Sequence, residues 1–331
     1  MTSRERFNRA LNFEPAQGRL PLVEWAPWWD KTMARWQGEG LPAMDFLPSQ
    51  QYFGLDPLMM ISAPGASAQV PQPATHGGAI IKDEGDYERL LPLLYCDSLI
   101  DSAVAQARAW KPLHDNGDII LRVWLDGFFW FPRTLFGIEP HLYAFYDYPE
   151  LMHRINNDLA DYNRRVMEAI CTVLTPDMVG FAEDMSYNHG PMLSRALFNE
   201  FLLPYYQRVN PVIRAHGSHI LIDSDGDITT MIPWMMDAGI EGVYPLERQA
   251  GVDLNAIRAQ YPQFLMLGGY DKMVMHRGEP AMRAEFERLL PVMRSGGYIA
   301  SVDHQTPPGV SLDDYRLYLR LFQEYAEKAV Q

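Results

Sequence analysis

Seven short apolar runs punctuate this sequence, and each stops at a carboxylate or a histidine. The runs are "LPLVEW" (20–25), "DIILRVWLDG" (118–127), "MVGFAED" (178–184), "SHILIDSD" (218–225), "EGVYPLE" (241–247), "QFLMLGGYD" (263–271) and "GYIASVDH" (297–304). Helical patterns such as "PELMHRINNDLADYNRRVMEAICTVL" and "SRALFNEFLLPYYQRVNPVIRAHG" lie between them, the second opening on a capping Ser194 and closing at Gly217. Strands alternating with helices in this way build a parallel sheet with helices outside it. Glu24, Asp126, Glu183 with Asp184, Asp223 with Asp225, Glu247, Asp271, and Asp303 with His304 end the runs. In a parallel barrel all such ends converge on one rim, where active sites lie. Acidic residues also cap helices, but an acid at every strand end exceeds what capping requires. No G-x-G-x-x-G follows the first run and no G-x-x-x-x-G-K occurs, which removes the main support for an open nucleotide-binding sheet. The expected architecture is α/β, a single (β/α)8 TIM barrel over residues 1–331 with an N-terminal helical extension beginning in "MTSRERFNRALNFEP". An eighth strand is expected near "PLMMIS" or "AIIKD", and residues 61–78, rich in Ala, Pro and Gly, read as a long surface excursion.

A hydrophobic fraction of 47% and a charged fraction of 21% are those of a soluble globular protein. The net charge of −14 argues against nucleic acid or an anionic membrane as partner, although a local basic pocket can override an average. Two distant cysteines, Cys96 and Cys171, supply neither a disulfide framework nor a thiolate-rich metal site. No stretch reaches the ~18 apolar residues of a membrane span, and the N-terminus lacks a signal-peptide core. The expected location is cytoplasmic and the expected partner a small-molecule substrate.

The stretch "ILIDSDGD" places Asp223, Asp225 and Asp227 within five positions. Like charges so close repel unless solvent, a proton or a cation lies between them. Residues two apart share a face of a strand, so Asp223 and Asp225 are expected to face the barrel axis together if the strand runs through both. Asp227, past Gly226, is placed to start the next helix. Three readings stay open for the pair: metal ligands, a metal-free acid/base site, or structural caps. Of the adjacent Glu183 and Asp184, only one can point inward, and Asp184 is the expected one. His304, at a strand end and followed by Pro307 and Pro308, is an expected ligand or general acid/base. Glu247 is an expected proton carrier. Tyr187, His189, Tyr270 and Asp271 are expected pocket residues on the same rim. Trp25, Trp28, Trp29, Trp124, Phe128, Phe129, Trp130 and Phe131 concentrate near the first two strand ends. With Glu24 they are expected to enclose a flat or aromatic ligand. His216 and His219 precede a strand and belong to the opposite end of the barrel.

Several blocks resemble the uroporphyrinogen decarboxylase (URO-D)-like superfamily, in the family's order and across the whole chain. They are "MTSRERFNRALNFEPAQGRLPLVEWAPWWDKTMARWQGEGLP", "DGFFWFPRTLFG" with "AFYDYPEL", "EDMSYNHGPMLS", "DSDGDITTMIPWMMDAGIEGVYPLE", "LGGYDK" and "GGYIASVDHQTPPGVSLDDY". The resemblance implies a (β/α)8 barrel and one of two chemistries. True uroporphyrinogen decarboxylases remove carboxylates from a tetrapyrrole without a cofactor. Their relatives, the corrinoid/coenzyme M methyltransferases, use zinc to pass a methyl group between a corrinoid protein and a thiol. The decarboxylases' arginine-rich "RQAGRY"-type segment is here "EWAPWWDKTMARWQ", so the guanidinium clamp for a poly-carboxylate is missing from that place. The methyltransferases' His-x-Cys pair falls on Asp223 and Asp225 and the later Cys on His304 or its neighbour Asp303, which keeps the spacing and loses the sulfurs.

The resemblance therefore implies a divalent metal, with zinc one choice among harder ions, at Asp223, Asp225 and His304. The expected function is metal-assisted methyl transfer with a corrinoid protein on a small methylated or aromatic substrate. Catalysis would fall to Asp184, Asp225, Glu247 and His304. Metal-independent decarboxylation of a small or tetrapyrrole carboxylic acid, and ligand binding without turnover, are the alternatives.

Overall fold

The computed structural model describes residues 1–331. Seven parallel strands form one curled sheet: β1 (Leu58–Ala63), β2 (Ile120–Asp126), β3 (Met178–Ala182), β6 (His219–Asp223), β7 (Gly242–Tyr244), β8 (Leu265–Tyr270) and β9 (Tyr298–Val302), hydrogen-bonded in that order. A two-residue-per-strand hairpin, β4 (Ser186–Tyr187) and β5 (Gly190–Pro191), stands apart from it, just after β3. Helices separate the large strands, and helix Pro149–Cys171 shows why. Its buried residues Leu151, Ile155, Leu159, Tyr162, Val166 and Ile170 recur every three or four positions, so one face is apolar and packs inward.

The ladder has seven strands rather than the expected eight. "PLMMIS" supplies β1, whereas the run 20–25 is not a strand. Pro21 has no N–H to give a ladder. The neighbouring groups bind side chains instead: Leu22 N–H donates to Asp56 Oδ2 at 2.9 Å and Trp25 N–H to Ser301 Oγ at 3.3 Å. The segment still crosses between the two edge strands. Asp56 N–H, two residues before β1, donates to the Leu22 carbonyl at 2.7 Å, and the Trp25 indole N–H donates to Val302 of β9 at 2.9 Å. Helices Ser3–Leu11, Asp30–Gly38 and Phe46–Tyr52 precede β1 as the N-terminal extension. The first is fixed by a reciprocal capping box between Thr2 and Glu5.

Register decides what faces the axis. Asp126 pairs with Ala182, Ala182 with Asp223, and Asp223 with Tyr244. Paired residues on adjacent strands share a face, so these four form one layer at the C-terminal edge. One step below, Trp124 pairs with Gly180. A Cβ on Gly180 would lie 2.1 Å from the Tyr244 hydroxyl, so glycine is what lets the Tyr244 ring cross the interior. The alternate positions Leu125, Phe181, Ile222 and Val243 are buried against the helices in one continuous apolar core. No helix is long and apolar enough to cross a membrane.

Candidate active site

The interior above that glycine is an open bowl. Most strand residues are buried, but Met60 is 40% exposed, and Ser62, Trp124, Asp126 and Asp223 are half-buried on the inward rows. Asp184, Asp225, Glu247 and His304, each half-buried on a strand-end loop, complete the rim. Burial raises the Asp223 pKa well above the usual carboxylate range, helped by the charges of Asp184 and Asp225 and opposed by Arg122. Asp225 is pushed up to about 7 by burial, then by Glu247 and Asp184. Asp184 rises for the same first reason. His304 is shifted down by burial and by Lys272. Its Nε2 stands 3.8 Å from Asp225 Oδ2, and its ring meets that of Trp25 edge-on at 6.1 Å.

The expected Asp223–Asp225–His304 set is not gathered into a ready coordination shell: no group of three His, Cys, Asp or Glu side chains is so arranged. The reason is local. Strand β6 ends at Asp223, so the strand alternation that would have aligned Asp225 with it does not extend that far. The Asp225 carbonyl instead accepts from the Ser186 hydroxyl. Asp227 accepts from Thr229 N–H at 3.0 Å and starts the following turn. The donor types nevertheless suit a hard divalent ion, since crowded carboxylates that raise one another's proton affinity gain from a positive charge.

Beside the bowl lies a cavity of about 540 Å³, and Asp184 and Asp126 line it. Its other walls are Pro64, Val70 and Ile80 from the stretch after β1, and Trp130, Phe131 and Arg133 from helix Trp130–Phe136. The excursion read as surface thus walls a pocket. Asp126 accepts from Gly65 N–H at 2.7 Å, and burial raises its pKa to about 6. Arg133 lies over the Trp130 ring at 5.2 Å and donates to the Asp184 carbonyl at 3.1 Å.

Glu183 and Asp184 divide their tasks. Glu183 is buried and accepts from the N–H groups of Phe128, Phe129 and Trp130 at 2.8, 2.7 and 3.0 Å, and from the Tyr206 hydroxyl. It therefore caps the helix that carries Trp130 and Arg133. A Cβ at Gly127 would lie 2.2 Å from its carboxyl carbon, which accounts for glycine there. Burial still raises Glu183 to about 7. From helix Pro149–Cys171, Asn156 donates to the Phe128 carbonyl and Asn163 to that of Asp126, both at 3.0 Å, which fixes the loop.

Several residues expected in the pocket lie elsewhere. Trp28 packs among Trp36, Phe46, Phe53 and Tyr315, outside the bowl. Trp29 is exposed ahead of helix Asp30–Gly38. Phe129 packs on His141 and Phe145, because its backbone N–H is turned to Glu183. Tyr270 is buried against Phe286 and Tyr318. Asp271 caps the turn after β8 by accepting from Met273 N–H at 2.8 Å. Tyr187 and His189 sit exposed on the β4–β5 hairpin with their rings 5.7 Å apart. Glu24 is buried behind the rim, where it accepts from the Tyr315 hydroxyl at 2.9 Å and Ser301 Oγ at 3.4 Å. Asp303 is held by Lys272 Nζ at 3.2 Å and Arg248 N–H at 3.1 Å. His219 pairs with Glu241 at 3.6 Å at the N-terminal end of β6.

Trp25 does face the bowl, edge-on to Tyr244 at 5.5 Å. Asp126 was read as a strand-end acid of the rim, whereas Arg122 and Arg133 are site residues that sequence reasoning did not single out. Arg122 had a signal: it interrupts the apolar run "IILRVWLD" in phase with Trp124 and Asp126.

The family description "Uroporphyrinogen decarboxylase (URO-D)" matches residues 135–325. Among solved structures, a methyltransferase from Methanosarcina mazei is similar over 98% of both chains, at 15% identity and a TM-score of 0.65. A putative vitamin-B12 independent methionine synthase from Listeria monocytogenes is similar over 94% of this chain and 97% of its own, at 10% identity and a TM-score of 0.48. No curated protein matches the sequence. The bowl of acids and the barrel-like sheet thus sit in a known setting, and the match over more than half of the chain makes this protein a member of the uroporphyrinogen decarboxylase (URO-D) family.

Proposed function

We propose that this chain is an enzyme that removes a methyl group from a small methylated aromatic substrate and passes it to an external nucleophile, with a corrinoid protein as the acceptor. One observation carries the reading: four carboxylates, Asp184, Asp223, Asp225 and Glu247, interact around one bowl with His304 and tryptophan rings at its edge. The full-length likeness to a methyltransferase supports the fold on which such chemistry runs. Asp223, Asp225 and His304, which share the rim without being gathered into a shell, would have to draw together around a divalent cation, whose contribution would be Lewis acidity toward the oxygen from which the methyl departs. The apolar cavity beside the bowl, walled by Trp130 and Phe131, takes the substituents that the ring carries. Asp184 joins the cavity to the acid cluster and is placed to hold the proton that the departing oxygen takes up.

Metal-independent decarboxylation is the second reading, and one observation favours it. Asp225, pushed to about 7, keeps a proton near neutrality and is available as a general acid.

The test incubates the protein, with and without added divalent metal, with methoxyarenes and reduced free cobalamin, and follows methylcobalamin by absorbance. Metal-dependent methyl transfer, lowered about a hundred-fold in Asp223→Asn and His304→Ala, is expected. Chelator-insensitive carbon dioxide release from an aromatic acid, with no methyl transfer, would replace this reading with the second.

A further inference from the structure

The floor of the bowl holds a guanidinium to which the fold gives no hydrogen-bond acceptor beyond one thioether. Arg122 is 4% exposed and belongs to the inward row of β2. Its Nε and Nη1 have no hydrogen-bond partner, and Nη2 reaches only the thioether of Met60 at 3.7 Å. Three rings surround the guanidinium, with centroids at 6.0 Å (Trp25), 5.2 Å (Trp124) and 5.7 Å (Tyr244). Ring faces attract a cation but accept none of its N–H bonds in the way a carboxylate does. Asp223 acts on Arg122 through its charge and makes no hydrogen bond to it.

Half-buried arginines of this chain such as Arg6, Arg19 and Arg288 differ. Arg6 and Arg19 close on Asp56 at 2.6 Å, and Arg288 on Glu285 at 2.6 Å. A buried guanidinium without an acceptor is costly, and a hydrophobic residue would fill a mere packing position more cheaply. We propose that Arg122 is the anchor for a carboxylate on the substrate, so that the ligand of this bowl is a small aromatic monocarboxylate.

Met60 is the movable cover. It is the sole partner of Nη2, it is half open to the bowl, and its unbranched side chain adapts easily. Shifting it offers the Nη1–Nη2 edge, the fork that takes a carboxylate bidentately. The ring of the ligand then lies against Trp124, the half-buried one of the three rings, and its far end rises toward Asp223, Asp225 and His304. Arginine stabilises the carboxylate it binds, and that stabilisation vanishes if the group leaves as carbon dioxide. The anchored carboxylate is therefore a handle, and the reacting group lies at the other end. The overall charge of −14 repels anions at long range, so recognition of an acid has to come from a buried local charge such as this one.

The inference rests on the reading of the bowl as a substrate site, and a binding experiment separates the two. Titration of the whole protein with 4-methoxybenzoate and with 4-methoxybenzamide, read by tryptophan quenching and calorimetry, compares ligands of like shape, one an anion with two acceptor oxygens and the other neutral with one. The acid is expected to bind at least about ten-fold more tightly than the amide, a preference lost in Arg122→Met and reduced in Arg122→Lys. Equal binding of acid and amide by the unaltered protein overturns the anchor without any need for a variant. A preference that survives in folded Arg122→Met does so as well. Acid preference without methyl transfer would keep the anchor and remove the proposed reaction. Demethylation of neutral methoxyarenes without acid preference would do the reverse.

Discussion

A carboxyl group withdrawn from water holds its proton unless something positive replaces the solvent, and Glu24 shows that rule away from the proposed chemistry. Burial raises its pKa to about 8, with the Tyr315 and Ser301 hydroxyls lowering it only in part. The folded chain therefore keeps a proton that the unfolded chain releases between pH about 4.5 and 8. Over that window the unfolded state binds fewer protons, so this residue makes stability fall as pH rises. Glu24→Gln, which keeps an acceptor and cannot ionise, is expected to match the parent near pH 5. By pH 8 it should exceed the parent by on the order of 3 kcal/mol, read from melting temperatures at the two pH values. A gap that does not widen with pH would contradict the assignment. Residue roles were the least legible part of the sequence. A cluster of aromatic letters does not say which ring faces the axis: Trp25 does, while Trp28, only three positions on, belongs to a separate aromatic layer. Arg122 was readable from its period-two phase with Trp124 and Asp126, but its lack of a partner is a fact of packing that no spacing reveals.

At the scale of elements, the strand ends are aimed by capping. The helix Trp130–Phe136 starts on the Glu183 carboxylate, which takes three consecutive backbone N–H groups, and the same helix brings Trp130, Phe131 and Arg133 to the cavity. Glu183→Gln leaves one acceptor oxygen for donors that now have two and turns an amide toward them. It is expected to cost about 2–4 kcal/mol in denaturant unfolding and to weaken ligand binding in the cavity, with Asp223 and His304 unaltered. An unchanged midpoint would mean that the cap contributes nothing. Six of the seven acid-ended runs are strands because parallel strands buried on the outer face must be apolar, and the runs show it. The run 20–25 has the same letters, but Pro21 and the side-chain acceptors Asp56 and Ser301 take it out of the ladder. Its replacement, β1, was only weakly marked because two methionines and a serine carry no strong strand preference.

For the whole molecule, acids that are far apart in the chain become neighbours because parallel strands all deliver their C-terminal ends to one side of the sheet. That convergence was legible from the recurrence of acids alone. The division of those acids into caps, such as Glu183 and Asp271, and bowl residues, such as Asp184 and Asp223, follows from which way each loop turns. Ala182, small and level with Asp126 and Asp223 on the inward row, leaves the centre open above the floor, while the helices seal the outside. The molecule thus crowds acids with raised proton affinity at one mouth, with Lys272 bound to Asp303 and Arg122 set beneath the acids. A cation bound there would take the place of those protons. The most direct test is a crystal of the protein grown or soaked with manganese, with anomalous scattering used to locate the ion. One strong peak about 2.0–2.3 Å from oxygens of Asp223 and Asp225 and a nitrogen of His304 is the result expected. Saturating metal with no peak in the bowl, or a peak held only by surface carboxylates elsewhere, would contradict it.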